Sequence, residues 1–590
     1  MKTAAWVVRF DLDSPEEAKA VCREAKAAGL DELLVQVRGR ADAHYQSDLA
    51  PAAENLSPAG FDPLAALLAD CGPIPLHAWL NVFYLWGGKT PPGNPRHPGH
   101  PEMPWILSDN QGKPVSLYSA QEKRLGWIEG TYADPSSPEY RKLFGKVVRE
   151  LLDRYPVAGI HLDFVRYPGP GYGKSEGAAA EFAALFGLDP RLLPEKLTQA
   201  LVRDWLGGEL PPADRALITA ALFWNEFRAG QVSALVAEVR RATRESGPLP
   251  VRLSAAVFPD PGEAYLDNGQ EWQAWAAAGL VDALYPMTYF GEPERVFVQL
   301  DQIAATTQGR ERVALWAGLG LEGKSPAAIA AEAKKAGELG FAGVSLFSLG
   351  SLRKNPPSAA WVKAAASGRS NGQTETSPGK HAPQPALAVI PARSVEILSN
   401  IVGKALPGIP LPDDFEKRLE ARLGEYEEAR QQSIPEALRR LAAGPVSLPD
   451  QAVLRGVFRF VHPLDSPAKR EEQATLSQQA RARLLAGEEP ARVARELSQD
   501  PSRTLDGLLA PRFLDPLDQN DRELAALAPG EVSGVLAGHN GFWCLRLEEI
   551  RKNRKAHFTE APWEARRILL RGKLAELMNR PETPSGKATP

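Results

Sequence analysis

The sequence has little cysteine: Cys22, Cys71 and Cys544 are alone among 590 residues. They are too few for a disulfide framework, and no C-x-x-C pair suggests zinc. No apolar run approaches the ~20 residues of a membrane helix, so no transmembrane segment is expected. There is no basic excess. Lys and Arg total 69 against 73 Asp and Glu, a net charge of −4, so no global footprint for nucleic acid is present. No glycine-rich phosphate loop follows the first β-type run, and neither His-x-His nor His-Glu-x-x-His spacing occurs. Hence no cofactor and no metal is expected. The opening Met1-Lys-Thr-Ala-Ala-Trp6 does not read as a signal peptide, because one basic residue leads straight into a strand-like run closed by Asp11. What is left is a soluble chain too long for one core, with two or three domains.

Residues 366–393 form one clear seam, rich in Ser, Gly, Gln, Thr and Pro and without an aromatic residue. Such a stretch buries too little apolar area to offset the entropy of ordering it, and reads as a flexible linker. Before it, residues 1–365 carry eight β-type runs, at 5–10, 33–37, 75–82, 159–165, 251–257, 283–289, 313–319 and 343–349. Amphipathic stretches separate them. Ser14-Pro15-Glu16-Glu17 is a helix start, with an N-cap Ser, Pro in the first turn and acids behind it. Eight such alternations predict a (β/α)₈ TIM-type barrel, with a doubly wound open sheet as the structural alternative.

In a barrel, chemistry sits where strands end. Arg38, Asp42, His44 and Tyr45 follow the second run. His77, Trp79 and Asn81 share one side of the third by alternation. The fourth carries His161 and Asp163, followed by Arg166 and Tyr167. Met287 and Tyr289 end the sixth, and Trp316 lies on the seventh. Flat aromatic rings with convergent polar groups suit a sugar. Each has a plain structural reading too: His161 as a satisfied core histidine, Asp163 as half of an ion pair with Arg166 or Arg38. Trp86, Trp105 and Trp127 either pack the long insertion between the third and fourth runs or line a substrate groove.

Several ordered motifs carry a resemblance. Asp42-Ala-x-Tyr45-x-Ser47, His77-Ala-Trp79-Leu-Asn81, Ala133-Asp134-Pro-x-x-Pro138-Glu139-x-Arg141, Gly159-Ile-His-Leu-Asp163-x-x-x-Tyr167-Pro168 and Val281-Asp282-x-x-x-Pro286-Met287-x-Tyr289 resemble the bacterial glycosyl-hydrolase-like family ten over about residues 3–355. The resemblance implies a (β/α)₈ barrel, an envelope location and hydrolysis of glycans, with peptide-free peptidoglycan strands among the substrates. The fourth run also resembles the family-eighteen chitinase signature, but Val165 stands where the catalytic Glu belongs. Two enzyme carboxyls are then needed, a general acid and a nucleophile or base. Asp163 is the first candidate. Glu226, in Trp224-Asn225-Glu226-Phe227-Arg228, is the second by position, read as lying just before a helix that returns from the barrel mouth. Arg228 joins it as a substrate contact. Asp42, Asp260 and Glu292 remain open, and Glu226 reads equally as a solvated acid at a helix start.

The second part is helical over 394–449. Residues 450–552 resemble a parvulin-type (PpiC-type) peptidyl-prolyl isomerase domain of α+β class, with flanking helices like those of envelope chaperones. The two active-site histidines of that family are missing. Gly456 takes the first position and Trp543 the last, with His462 and His539 out of register. A non-catalytic module that binds a peptide or protein is expected. Residues 553–590 form a basic helix and tail. From 551 to 580 there are nine Lys/Arg against three Glu, read as a solvated helix face or a patch for anionic envelope polymers. Three functions stand: a glycoside hydrolase acting on a cell-wall-type glycan, a catalytically inactive carbohydrate-binding barrel, and an envelope chaperone or isomerase targeted by the barrel. The expected location is the cell envelope if a leader was trimmed ahead of Met1, and the cytoplasm otherwise.

Overall fold

The computed structural model describes residues 1–125, 128–245, 251–307, 309, 311–368, 393–461, 465, 467–538 and 541–579. Trp127, His462, His539 and residues 369–392 of the expected linker lie outside the described residues. Eight parallel strands close into a barrel in chain order: β1 Lys2–Val7, β2 Glu32–Arg38, β3 Leu76–Asn81, β4 Gly159–Asp163, β5 Arg252–Val257, β6 Ala283–Thr288, β7 Ala314–Gly320 and β8 Gly343–Phe347. Every expected run overlaps a strand, although the first, fourth and eighth runs extend beyond theirs. β2 and β3 are buried at every position, which is why they read as near-continuous apolar runs. Helices pack outside, among them α1 Pro15–Ala28, α2 Pro63–Asp70 and α3 Pro138–Arg154. The Ser14 side chain caps α1 by accepting from Glu17 N–H, as the start signal implies.

The barrel interior is layered. At the end where the strands begin, Glu32 pairs with Arg252 and with His77 at 3.3 Å. Burial opposes ionisation of Glu32, yet His77 and Arg252 together bring its carboxyl down to about 2. Tyr285 and Trp316 stack above this cluster, 5.4 Å between centroids. In the middle layer Trp6 Nε1 donates to His161 Nε2 at 3.2 Å, and His161 Nδ1 meets Ser254 Oγ at 2.9 Å.

Two findings correct the sequence reading. First, Cys22 in α1 and Cys71 at the end of α2 form a disulfide across 49 residues, although the cysteine count promised no such framework. Second, the two parts flanking the linker share a core. The excursion between β4 and β5 contains Glu176–Phe186, Gln199–Gly207 and the 34-residue α4, Pro212–Glu245. Its Phe182, Trp205 and Phe223 are buried in one cluster with Leu398, Tyr426 and Leu570 of the second part. These come from α5 Val395–Ala405, α6 Phe415–Glu428 and a later C-terminal helix.

Ion pairs cross the same boundary. Lys404 Nζ lies 2.7 Å from Glu226 and 2.5 Å from Glu271, and Arg215 holds Glu425 at 2.7 Å. Beyond this core, four antiparallel strands form a second sheet in the order β10-β9-β12-β11: β9 Gln451–Phe460, β10 Arg512–Phe513, β11 Val532–Gly538 and β12 Gly541–Arg551. Helices α7 Pro467–Leu485 and α8 Pro490–Leu497 accompany the sheet, and α9 Trp563–Met578 returns to the barrel side. The basic face of α9 is thus engaged by protein: Arg571 pairs with Asp214 at 2.6 Å and Asp515 at 2.7 Å, and Arg567 with Glu195 at 3.4 Å.

Removing Lys404 would leave two largely buried carboxylates facing each other. Lys404→Ala is expected to cost about 3–5 kcal/mol in urea unfolding followed by circular dichroism, and an unchanged midpoint would contradict the shared core. Replacing both Cys22 and Cys71 by Ser is expected to cost about 2–4 kcal/mol, read as a lower Tm that no longer responds to dithiothreitol.

Candidate active site

Asp163 ends β4 with its side chain inside the barrel rim. Two donors orient its carboxyl: Trp79 Nε1 to Oδ2 at 3.1 Å, and the Phe164 amide to Oδ1 at 2.7 Å. Phe164 adopts φ 49°, the left-handed region that a bulky aromatic residue rarely occupies. Backbone strain of this kind persists only where the surroundings impose it, and it concentrates at functional sites. Burial pushes the Asp163 carboxyl above its ordinary value, against the pull of the Phe164 N–H, Arg166 and Trp79.

Beneath it the floor is neutral. Because Nε2 of His161 accepts from Trp6, the ring proton is assigned to Nδ1, and burial holds its pKa well below the usual histidine value. Trp6 meets Tyr289 and Phe347 edge-on, at 6.2 and 5.9 Å. These two rings and Phe10 stay exposed at the rim, by 38%, 36% and 61%. From the insertion between β3 and β4, Glu129 accepts from Arg166 Nη2 at 3.0 Å and from Tyr132 Oη at 2.6 Å. Its charge also acts on Asp163. Asn81 closes the next arc, linked to Gln36 at 3.3 Å and to the Gly39 carbonyl at 2.8 Å. Asp42 accepts from Arg40 N–H at 2.9 Å, and the Arg40 guanidinium covers the Trp86 ring at 4.6 Å. Met287 and Tyr289 border a cavity of about 460 Å³ that continues outward from the rim.

The structure therefore gathers Asp163, Trp79, Asn81, Arg166, Met287 and Tyr289 at the mouth, with His161 below and Asp42 on the flank. Other expected site residues lie elsewhere. His77 and Trp316 occupy the opposite end of the barrel, because alternation settles which side a residue faces but not its height along the strand. Arg38 is buried against α3, bonding the Asn81 carbonyl at 2.6 Å and covering Phe144. Tyr45 packs edge-on against Tyr155 in the core. Arg228 stacks on the buried Tyr167 at 4.6 Å and donates to the Gly169 and Asp267 carbonyls, holding the loop after β4 from behind.

Glu226 requires the largest correction. It sits inside α4, not ahead of a helix, on the face turned to the second part, where Lys404 and the Tyr265 hydroxyl engage it. Of the other open carboxylates, Asp260 caps the helix Pro261–Asn268 and Glu292 lies exposed beside Arg295. Trp105 packs the insertion, its Nε1 donating to the Pro98 carbonyl. Among the described residues no group of three or more His, Cys, Asp or Glu could hold a metal.

Glu129, Phe10 and Phe347 were not singled out in the sequence. Phe347 ends the last barrel strand and was within reach of a strand-end reading. Glu129 lies deep in an insertion, where no periodicity marks it.

The family model described as Glycosyl hydrolase-like 10 matches residues 4–332. Over 186 residues, 28% of this chain, the sequence is 25% identical to Glycosyl hydrolase YngK of Bacillus subtilis (strain 168), covering 33% of that protein. Over 112 residues, 19% of this chain, it is 36% identical to Chaperone SurA of Nitrosospira multiformis, covering 25% of it. The matched stretches thus span about a third and a quarter of these relatives' lengths. The glycoside hydrolase domain of PgaB (BpsB) from Bordetella bronchiseptica aligns at 12% identity and a TM-score of 0.46, over 63% of this chain and all of that one. A PpiC-type peptidyl-prolyl cis-trans isomerase domain aligns at 18% identity and a TM-score of 0.16, over 18% of this chain and 95% of that one. With more than half its length matched by one family model, the chain belongs to the glycosyl hydrolase-like 10 family.

Proposed function

We propose that the protein is a glycoside hydrolase that cleaves a bacterial cell-wall-type glycan, such as peptide-free peptidoglycan strands, at the mouth of the barrel. The observation that carries this reading is the Asp163 carboxyl, fixed by two N–H donors above a neutral floor and flanked by exposed aromatic rings. Asp163, favoured in its protonated form by burial, acts as general acid and donates its proton to the departing glycosidic oxygen. Glu129, held by Arg166 and Tyr132, replaces Glu226 as the second carboxylate. It serves as nucleophile if the two carboxyls lie about 5–5.5 Å apart across a bound sugar, and as base for water at about 6.5–9.5 Å. Tyr289, Phe347 and Phe10 offer faces on which sugar rings stack. We place the protein in the cell envelope, a reading the Cys22–Cys71 disulfide supports, because such bonds persist in oxidising compartments.

Reducing-end release from peptide-free glycan strands tests the reaction. Asp163→Asn and Glu129→Gln are each expected to slow it about 10²–10⁴-fold with folding retained; glycan binding without turnover by the wild type would mark a binding protein instead. The pH profile carries a second test. A general acid works protonated, so activity falls as pH rises through the pKa of Asp163. Trp79→Phe removes a donor that favours the ionised form, so the alkaline limb is expected to move to higher pH, with turnover about tenfold slower. A limb that stays in place would remove Asp163 from the acid role.

A further inference from the structure

The cavity of about 460 Å³ beside Met287 and Tyr289 neighbours two more, of about 490 and 950 Å³, and Asp267 borders all three. The second and third are bounded by the barrel on one side and by the parvulin-like domain on the other. In the largest, Phe258, Tyr172 and Asn110 of the barrel part face Phe458, Phe460 and Trp543 of β9 and β12. Trp543 stands directly across the ladder from Phe458, ring centroids 4.6 Å apart, and Phe460 keeps 38% of its surface exposed.

Asn110 is 6% exposed, and its Oδ1 has no hydrogen-bond partner among the described residues. An acceptor so buried costs stability unless a ligand supplies a donor. Sugar hydroxyls are donors. Flat rings beside a lone acceptor match a pyranose chain, which stacks through its ring faces and donates through its hydroxyls. The domain cannot swing freely away from this position, because its flanking helices share a core with the excursion after β4, and Arg295 from the barrel side reaches Asp465 at 2.7 Å.

We propose that the parvulin-like domain is the distal wall of the glycan cleft: a strand held at Asp163 continues through these cavities, stacks a remote sugar on Trp543 and donates a hydroxyl to Asn110 Oδ1. The inference rests on the glycoside-hydrolase reading of the barrel. It gives the domain a role in selecting long strands over short ones, at a face where Gly456 and Trp543 occupy the positions of the isomerase histidines.

The test uses the full chain carrying Asp163→Asn, titrated calorimetrically with peptide-free glycan strands of about twenty sugars and with the tetrasaccharide. Adding W543A or N110A is expected to lower the ratio of long-strand to tetrasaccharide affinity about tenfold, and W543F to restore most of it; Tm values confirm folding. An unchanged ratio in both variants, with the strand still bound, would overturn the distal wall and leave the barrel reading standing. A proline-containing decapeptide that displaces the long strand and depends on Trp543 would also overturn it, in favour of a peptide site. Failure of the parent to bind either glycan would remove the barrel reading and this inference together.

Discussion

The hydrogen bond from the Trp79 indole to Asp163 is the constraint on which the site turns. Without it and the Phe164 amide, a carboxyl at the end of a barrel strand would rotate freely over the opening. With both, one oxygen is aimed from β3 and the other from the strained turn after β4. The layer below contributes by being uncharged. Trp6 donates to His161 and so fixes its tautomer, leaving no buried cation directly beneath Asp163 to hold it ionised. The charged cluster of Glu32, His77 and Arg252 is kept at the far end of the barrel. Burial raises the Asp163 carboxyl above its ordinary value, the direction a general acid requires.

A second constraint decides what surrounds that site. The helices after the linker do not merely tether a domain; they complete the apolar surface of the excursion between β4 and β5. Lys404, held between Glu226 and Glu271, locks the register of this contact. Its geometry sets the aromatic face of the second sheet opposite the loop after β4, so the proposed catalytic site and the proposed strand-binding wall belong to one cleft. On that face Trp543 stands across the ladder from Phe458, a pair of flat rings turned toward the loop after β4.

Much of the barrel was legible in the sequence because its strands are buried on both faces over most of their length and several helices begin with a recognisable cap, as at Ser14. Asp163 was legible because an aspartate near the end of an apolar strand demands a partner. Height within the barrel was not, and His77 and Trp316 therefore appeared as mouth residues. Glu226 looked like a catalytic acid because nothing local reveals that Lys404, 178 residues away, neutralises it. Glu129 stayed hidden for the converse reason: its partners Arg166 and Tyr132 meet it only after the insertion folds over the rim. The Cys22–Cys71 bond is likewise a tertiary fact, since counting cysteines says nothing about proximity.

The most direct measurement is a crystal structure of the Asp163→Asn protein with a peptide-free glycan strand bound. The expected result places a glycosidic oxygen within hydrogen-bond distance of residue 163, Glu129 on the opposite side of the same anomeric carbon, and sugar rings against Tyr289 and Phe347. A strand bound away from the mouth, or one whose anomeric carbon faces neither carboxyl position, would contradict the assignment of the barrel as a glycan-cleaving enzyme.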